Sequence, residues 1–236
     1  MPLDYYVWAI VNNDRTILVD TGFDQETARR RGRQVVRPVA DGLGAIGLSP
    51  DRIEHIVISH MHYDHAGNHA LFPRARYHVQ EAEMAYCTGR CMLAPEVGGV
   101  FDAAAVAGMV HHVFAGRVQF HDGDVEIAPG VSLHKVAGHT RGMQIVRVAT
   151  ERGWVVLGSD TAHFYANLDP GRPFPIFDSL SDYIEAQHTA LRLASSPQHF
   201  IPGHDPLVLA RYPAAWAGLE GVARLDLAPK AAGSSA

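Results

Sequence analysis

The chain has 236 residues, 47% hydrophobic and 19% charged, which suits one large α/β domain with a substantial core. A formal net charge of −5, with basic residues scattered rather than gathered in a stripe, argues against a nucleic-acid surface. No run approaches the roughly 20 apolar residues that a membrane span requires, and the opening MPLDYYVWAIV has no signal-peptide pattern, so the expectation is a cytoplasmic protein that partners neither membrane nor nucleic acid.

Residues 5–11 and 16–20 are β-rich runs separated by NNDR, a hairpin turn signal. A polar helical stretch begins at 25–33, and 39–46 continues with apolar residues at helical spacing. Residues 55–59 (HIVIS) read as a strand buried on both faces. A short helix follows around 65–71, then a strand at 76–79 and a helix at 80–86. Residues 92–116 are loop and helix, placed where a substrate-side insertion could lie. Residues 117–136 alternate and carry the turn signals DGD and APG, which predicts three antiparallel strands. Strands at 144–149 and 154–157 precede a Pro-, Gly- and aromatic-rich loop reaching 177. Helix 180–193, strand 199–201 and a short helix over 213–225 complete the order, with a disordered tail at 228–236. No repeat or linker appears, so residues 1–227 form one domain. The order of elements predicts an α/β fold, an αββα sandwich of two mixed sheets with helices on the outer faces.

Fifteen histidines against two cysteines, Cys87 and Cys91, direct attention to imidazole ligands; the cysteines read as two unrelated thiols. His60-Met61-His62-Tyr63-Asp64-His65 directly follows the buried strand. Two apart on an extended segment, His60 and His62 point the same way and can chelate one ion. A turn into helix then presents Asp64 and His65 to a neighbouring position. A loop of solvated histidines would leave three further residues unexplained. His139 in VAGHTRG, Asp160 in VVLGSD and His204 in FIPGHD each lie just past a strand end beside a glycine. His55 and His134 read as satisfied structural histidines, His69 as helix surface, and His111 and His112 as surface or lid.

With these motifs, and LVDTG at 18–22, the chain resembles the metallo-β-lactamase superfamily along nearly its whole length. The resemblance implies that His60, His62 and His139 hold one ion, that Asp64, His65 and His204 hold a second, and that Asp160 bridges them. Asp20 would orient the histidine ligands. Zinc suits the donor set, with iron, cobalt or manganese as substitutes. Flavodiiron-type relatives carry a glutamate at the position of His62, and true β-lactamases of this fold lack the bridging aspartate, so neither fits. Persulfide dioxygenases share the HxHxDH run but use one iron.

The opening YYVWAI…TILVDTGFD and the closing IPGHDP are most similar to the N-acyl homoserine lactonases. That likeness implies a quorum-quenching activity: a hydroxide between the two ions opens the lactone ring of a small-molecule substrate. It also implies a homodimer. Lactonases of this family place a tyrosine three residues after the bridging aspartate; here His163 stands there and Tyr165 lies two further on. Either His163 or Tyr165 would assist the developing oxyanion or alkoxide. The alternatives are hydrolysis of another ester, a cyclic amide, or a thioester in the manner of glyoxalase II. The last needs basic residues near the C-terminus, where only Arg211, Arg224 and Lys230 are available. Phe101, Met109, Phe164 and Phe174 are candidates for an acyl pocket, with core packing the simpler role.

Overall fold

The structure, a computed structural model, describes residues 2–230. Two five-stranded sheets form its centre. In chain order the elements are β1 (Trp8–Val11), β2 (Thr16–Val19), α1 (Gln25–Arg31), α2 (Val39–Ala45), β3 (His55–Val57), α3 (Tyr63–Ala66), β4 (Arg76–Gln80), α4 (Glu81–Cys87), α5 (Pro95–Gly98), α6 (Ala103–Phe114), β5 (Val118–His121), β6 (Val125–Ala128), β7 (Val131–Lys135), β8 (Gln144–Thr150), β9 (Gly153–Leu157), α7 (Leu180–Leu193), β10 (Phe200–Ile201) and α8 (Leu207–Arg211). The first sheet has the order β1-β2-β3-β4-β5, antiparallel at β1–β2 and parallel thereafter. The second has the order β10-β9-β8-β7-β6, parallel only at β10–β9.

Side-chain alternation explains why β2 and β3 are apolar without a polar face. Ile17, Val19 and Val57 point between the sheets, where they meet Leu133, Val146, Val155 and Leu157. Leu18 and Ile56 point the other way, into a core shared with Tyr77, Phe72 and Met109. Each strand therefore buries both faces, one on the opposite sheet and one under helices. On the far side of the second sheet, Ile145, Val156 and Phe200 pack on Ala186 and Ala190 of α7. The αββα sandwich is the architecture the element order predicts.

Two expectations fail here. Residues 117–136 do form three strands, but not all antiparallel: β5 pairs parallel with β4 at the edge of the first sheet, and only β6 and β7 form a hairpin. Alternation describes a half-buried strand but carries no information about its partner. No helix covers 213–225; Gly218 and Gly221 there take φ of 82° and 75°, outside the helical region, and the nearby helix is α8 instead. Of the tail expected at 228–236, the Lys230 amide donates to the Arg211 carbonyl at 2.7 Å, and residues 231–236 lie outside the described residues. Cys87 and Cys91 are free thiols, and burial pushes Cys87 up to about 12. No helix among the described residues is long and apolar enough to cross a membrane.

Candidate metal centre

The strands deliver the candidate ligands to one place. β2, β3 and β4 run parallel in the first sheet, and β7, β9 and β10 share one direction in the second. The segments after β3, β7, β9 and β10 carry His60 to His65, His139, Asp160 and His204, and all seven residues are buried. Ligand-type atoms of His60, His62, His139 and Asp160 lie within 4.8 Å of one another, as do those of Asp64, His65 and His204. Asp160 stands between the groups, with Oδ2 3.1 Å from His139 Nε2 and Oδ1 2.9 Å from His204 Nε2. Gly203 permits this approach: a Cβ there would sit 2.7 Å from Asp160 Oδ1.

Hydrogen bonds from the opposite ring nitrogen fix three imidazoles in one tautomer. His65 Nδ1 donates to Asp20 Oδ2 at 2.7 Å, His139 Nδ1 to the Ile176 carbonyl at 2.8 Å, and His204 Nδ1 to the Asp4 carbonyl at 2.6 Å. Each is left with an Nε2 lone pair aimed into the cluster. Asp20 also accepts from the Ser59 amide at 2.7 Å and the Ser59 hydroxyl at 2.8 Å, from a backbone at φ 63°. The Ser59 hydroxyl lies 3.1 Å from His60 Nδ1.

The chemistry of this donor set fits a pair of divalent cations. His60 Nε2, His65 Nε2 and Asp160 Oδ1 are buried without a hydrogen-bond partner, and His139 Nε2 lies 3.0 Å from His62 Nδ1. Buried polar atoms normally find partners, so convergent lone pairs without donors mark a place for cations. Burial, together with the neighbouring imidazoles, drives His60 and His62 well below the ordinary histidine range and keeps them neutral. Burial opposes positive charge on His65 as well, but Asp160, Asp64 and Asp20 together favour it, and a cation on Nε2 would supply that charge in place of a proton. Asp160 sits far below the carboxylate range: burial acts against it, and His163, His204, His65 and His139 outweigh that.

The two candidates beyond the ligands part company. His163 joins the cluster, with Nε2 3.1 Å from Asp160 Oδ2 and its ring stacked on Phe174 at 3.4 Å and His204 at 4.9 Å. Burial holds it down to about 3, against the pull of Asp160. Tyr165 turns away. Its amide donates to Asp205 Oδ2 at 2.9 Å, and its ring packs beneath the Arg211 guanidinium at 4.0 Å and against both cores that flank the second sheet.

His69 is not on the surface as expected. It is buried, with Nε2 3.1 Å from the Ala105 carbonyl and Nδ1 3.0 Å from His112. His55 is half of a different pairing, with Nδ1 3.0 Å from His78 Nε2, while His78 Nδ1 lies 3.0 Å from His121 Nε2. Met109 is core. Phe101 is core on one side and meets the His62 ring at 4.6 Å on the other, so the 92–116 segment does lie against the centre. The contacts of Asp4 and Ile176 with ligand histidines had no signal in sequence, since they pair residues 200 and 37 positions apart.

A histidine- and aspartate-lined cluster at the strand ends of an αββα sandwich defines a metal-dependent hydrolase. The chain belongs to the metallo-beta-lactamase superfamily, whose sequence profile matches residues 2–209. It is 28% identical over 194 residues to an N-acyl homoserine lactonase of a Bacillus species, covering 75% of this chain and 72% of that protein. It is 26% identical over 191 residues to the N-acyl homoserine lactonase of Bacillus thuringiensis, covering 75% and 71%. A solved N-acyl homoserine lactone hydrolase, with N-hexanoyl-L-homoserine bound at its catalytic metal centre, superposes with a TM-score of 0.72 at 22% identity, covering 87% of this chain and 82% of the other.

Proposed function

We propose that the protein is a lactonase that opens N-acyl homoserine lactones or a closely related lactone ring, using two zinc ions, in the cytoplasm. The observation that carries the reading is the set of seven buried ligand-type side chains, with three imidazoles locked so that Nε2 faces a shared aspartate. In it, His60, His62 and His139 would hold one ion, Asp64, His65 and His204 the other, and Asp160 would lie between them. When bound, such a pair supplies Lewis acidity for a carbonyl and makes a water acidic enough to attack at neutral pH.

The remaining roles belong to the chain. His163, whose Nε2 lies 3.1 Å from Asp160 Oδ2, would in its neutral form turn an Nε2–H from Asp160 toward an oxygen that gains charge as the ring opens. The ring of Phe174 stacked on it excludes water from that side. A largely apolar groove of about 500 Å³, lined by Cys87, Met92, Phe101, Val106 and Val110, shares Phe101 with the centre, the Phe101 ring standing between it and His62, and would offer room for an acyl chain. A glutathione thioester is less well served, because the C-terminal basic residues are engaged. Arg211 covers Tyr165, Arg224 pairs with Asp226, and the Lys230 ammonium donates to the Ala210 carbonyl.

The test is acid release from short- and long-chain N-acyl homoserine lactones by the metal-reconstituted protein, followed with a pH indicator. Fast ring opening abolished by a chelator is expected. Protein that holds two ions per chain yet releases no acid from any of these lactones would overturn the substrate, and esters, thioesters and cyclic amides would be tested next.

A further inference from the structure

Glu83 is a carboxylate with no exposure at all, on the first turn of α4 and outside the candidate ligand set. No lysine or arginine among the described residues pairs with it. Burying such a group is costly unless its oxygens are fully engaged. Three donors engage them. Oε1 accepts from the Met61 amide at 2.8 Å, and Oε2 accepts from the Thr140 hydroxyl at 2.6 Å and the Gly142 amide at 3.1 Å.

The identity of those donors carries the inference. Met61 sits between His60 and His62, and Thr140 directly follows His139. One carboxylate thus ties together the two segments that deliver all three imidazoles of one group, though they lie 77 positions apart between His62 and His139. The join is close-packed. A Cβ on Gly142 would lie 2.0 Å from the Glu83 amide nitrogen, so the 139–142 turn rests directly on the backbone of α4. None of the three donors belongs to Asp64, His65 or His204; His65 is oriented by Asp20 and His204 by the Asp4 carbonyl instead.

We infer that Glu83 is a positioning residue that sets the separation of His60, His62 and His139, so that one ion depends on it and the other does not. The inference rests on the two-ion reading above. Glutamine keeps the volume of Glu83 but must turn an NH₂ group toward at least one of the three donors, which splays the two segments.

The experiment titrates metal-free protein with Co²⁺, following the visible absorption bands and the bound metal. Wild-type protein is expected to bind two equivalents. In Glu83→Gln one ion should weaken by about 10–100-fold, the range typical for groups that orient ligands, while the other stays within about threefold. The spectrum of the ion that survives should match that of His62→Ala rather than His204→Ala. Thr140→Val, which deletes one donor without changing shape, should shift the same ion less, and serves if Glu83→Gln fails to fold. Two ions bound with wild-type affinity by the variants, or both weakened together, would overturn the role of Glu83 alone. Fewer than two ions on wild-type protein would overturn the two-ion reading, and this inference with it.

Discussion

Replacing Asp20 by asparagine changes one atom at the point where the first sheet orients its ligands. Asparagine tolerates the left-handed backbone that Asp20 adopts at φ 63°, so the loop itself should survive. What is lost is acceptor capacity. Three donors converge on the carboxylate at 2.7–2.8 Å: the Ser59 amide, the Ser59 hydroxyl and His65 Nδ1. The new NH₂ must face at least one of them, and a buried donor left unmatched costs about 1–3 kcal/mol. If it faces His65, the proton moves to Nε2, the nitrogen that lies 3.4 Å from Asp160 and 3.7 Å from Asp64. That tautomer has no lone pair to offer an ion. The expected loss is about 10–100-fold in affinity for the ion held with Asp64 and His204, or about 1.4–2.7 kcal/mol at 1.36 kcal/mol per tenfold step. Metal content after dialysis against graded chelator reads the affinity, and thermal unfolding of the metal-free protein reads the packing cost. At about 2–4 °C per kcal/mol for a chain of this size, a drop of several degrees is expected. A variant that keeps both ions within threefold of wild type and unfolds at the same temperature would falsify the role given to Asp20.

The two candidates in the substrate loop separate in the same assays. Tyr165→Phe should leave turnover within about twofold, because the ring lies under Arg211, whereas His163→Ala should lower kcat by about 10²-fold through loss of a donor to the developing charge; equal effects would refute the assignment. Away from the centre, His78 is held down to about 3 by burial and by His121 and His55. Its folded-state value lies below the unfolded one, so it costs nothing above about pH 6.5 and removes up to about 1.4 kcal/mol of stability per pH unit as pH falls from there toward 3. Unfolding temperatures of metal-free His78→Gln should therefore fall less steeply with acid than those of wild type; parallel curves would show that the His55–His78–His121 chain does not govern acid stability.

What could be read from the residues alone was whatever depends on local geometry. His60 and His62 alternate along an extended segment, and His139, Asp160 and His204 each follow a strand, so their convergence needed only the parallel placement of strand ends. Strand partners were less legible. Residues 118–121 alternate as a hairpin strand would, yet they close the edge of the other sheet, a choice made by tertiary packing on Tyr77 and Val79. His69 looked exposed because nothing in its neighbourhood announces that Ala105 and His112, over 30 positions later, cover it. Glu83 was invisible for the same reason: a glutamate in the first turn of a helix is ordinary, and its three donors come from segments 22 to 59 positions away. Tyr165 drew attention by residue type, while its direction is fixed by Asp205 and Arg211.

The reciprocal bonds between Asp4 and His204 have a consequence for the order in which the protein can be built. The Asp4 amide donates to the His204 carbonyl at 3.0 Å while the Asp4 carbonyl receives His204 Nδ1, a closure across 200 positions. During synthesis the HMHYDH segment emerges well before His204, so this imidazole and its Asp4 anchor meet only after the intervening residues have left the ribosome. On the two-ion reading a nascent chain holds a half-made chelate over that interval, and capture of the second ion would report that these two distant segments have found each other.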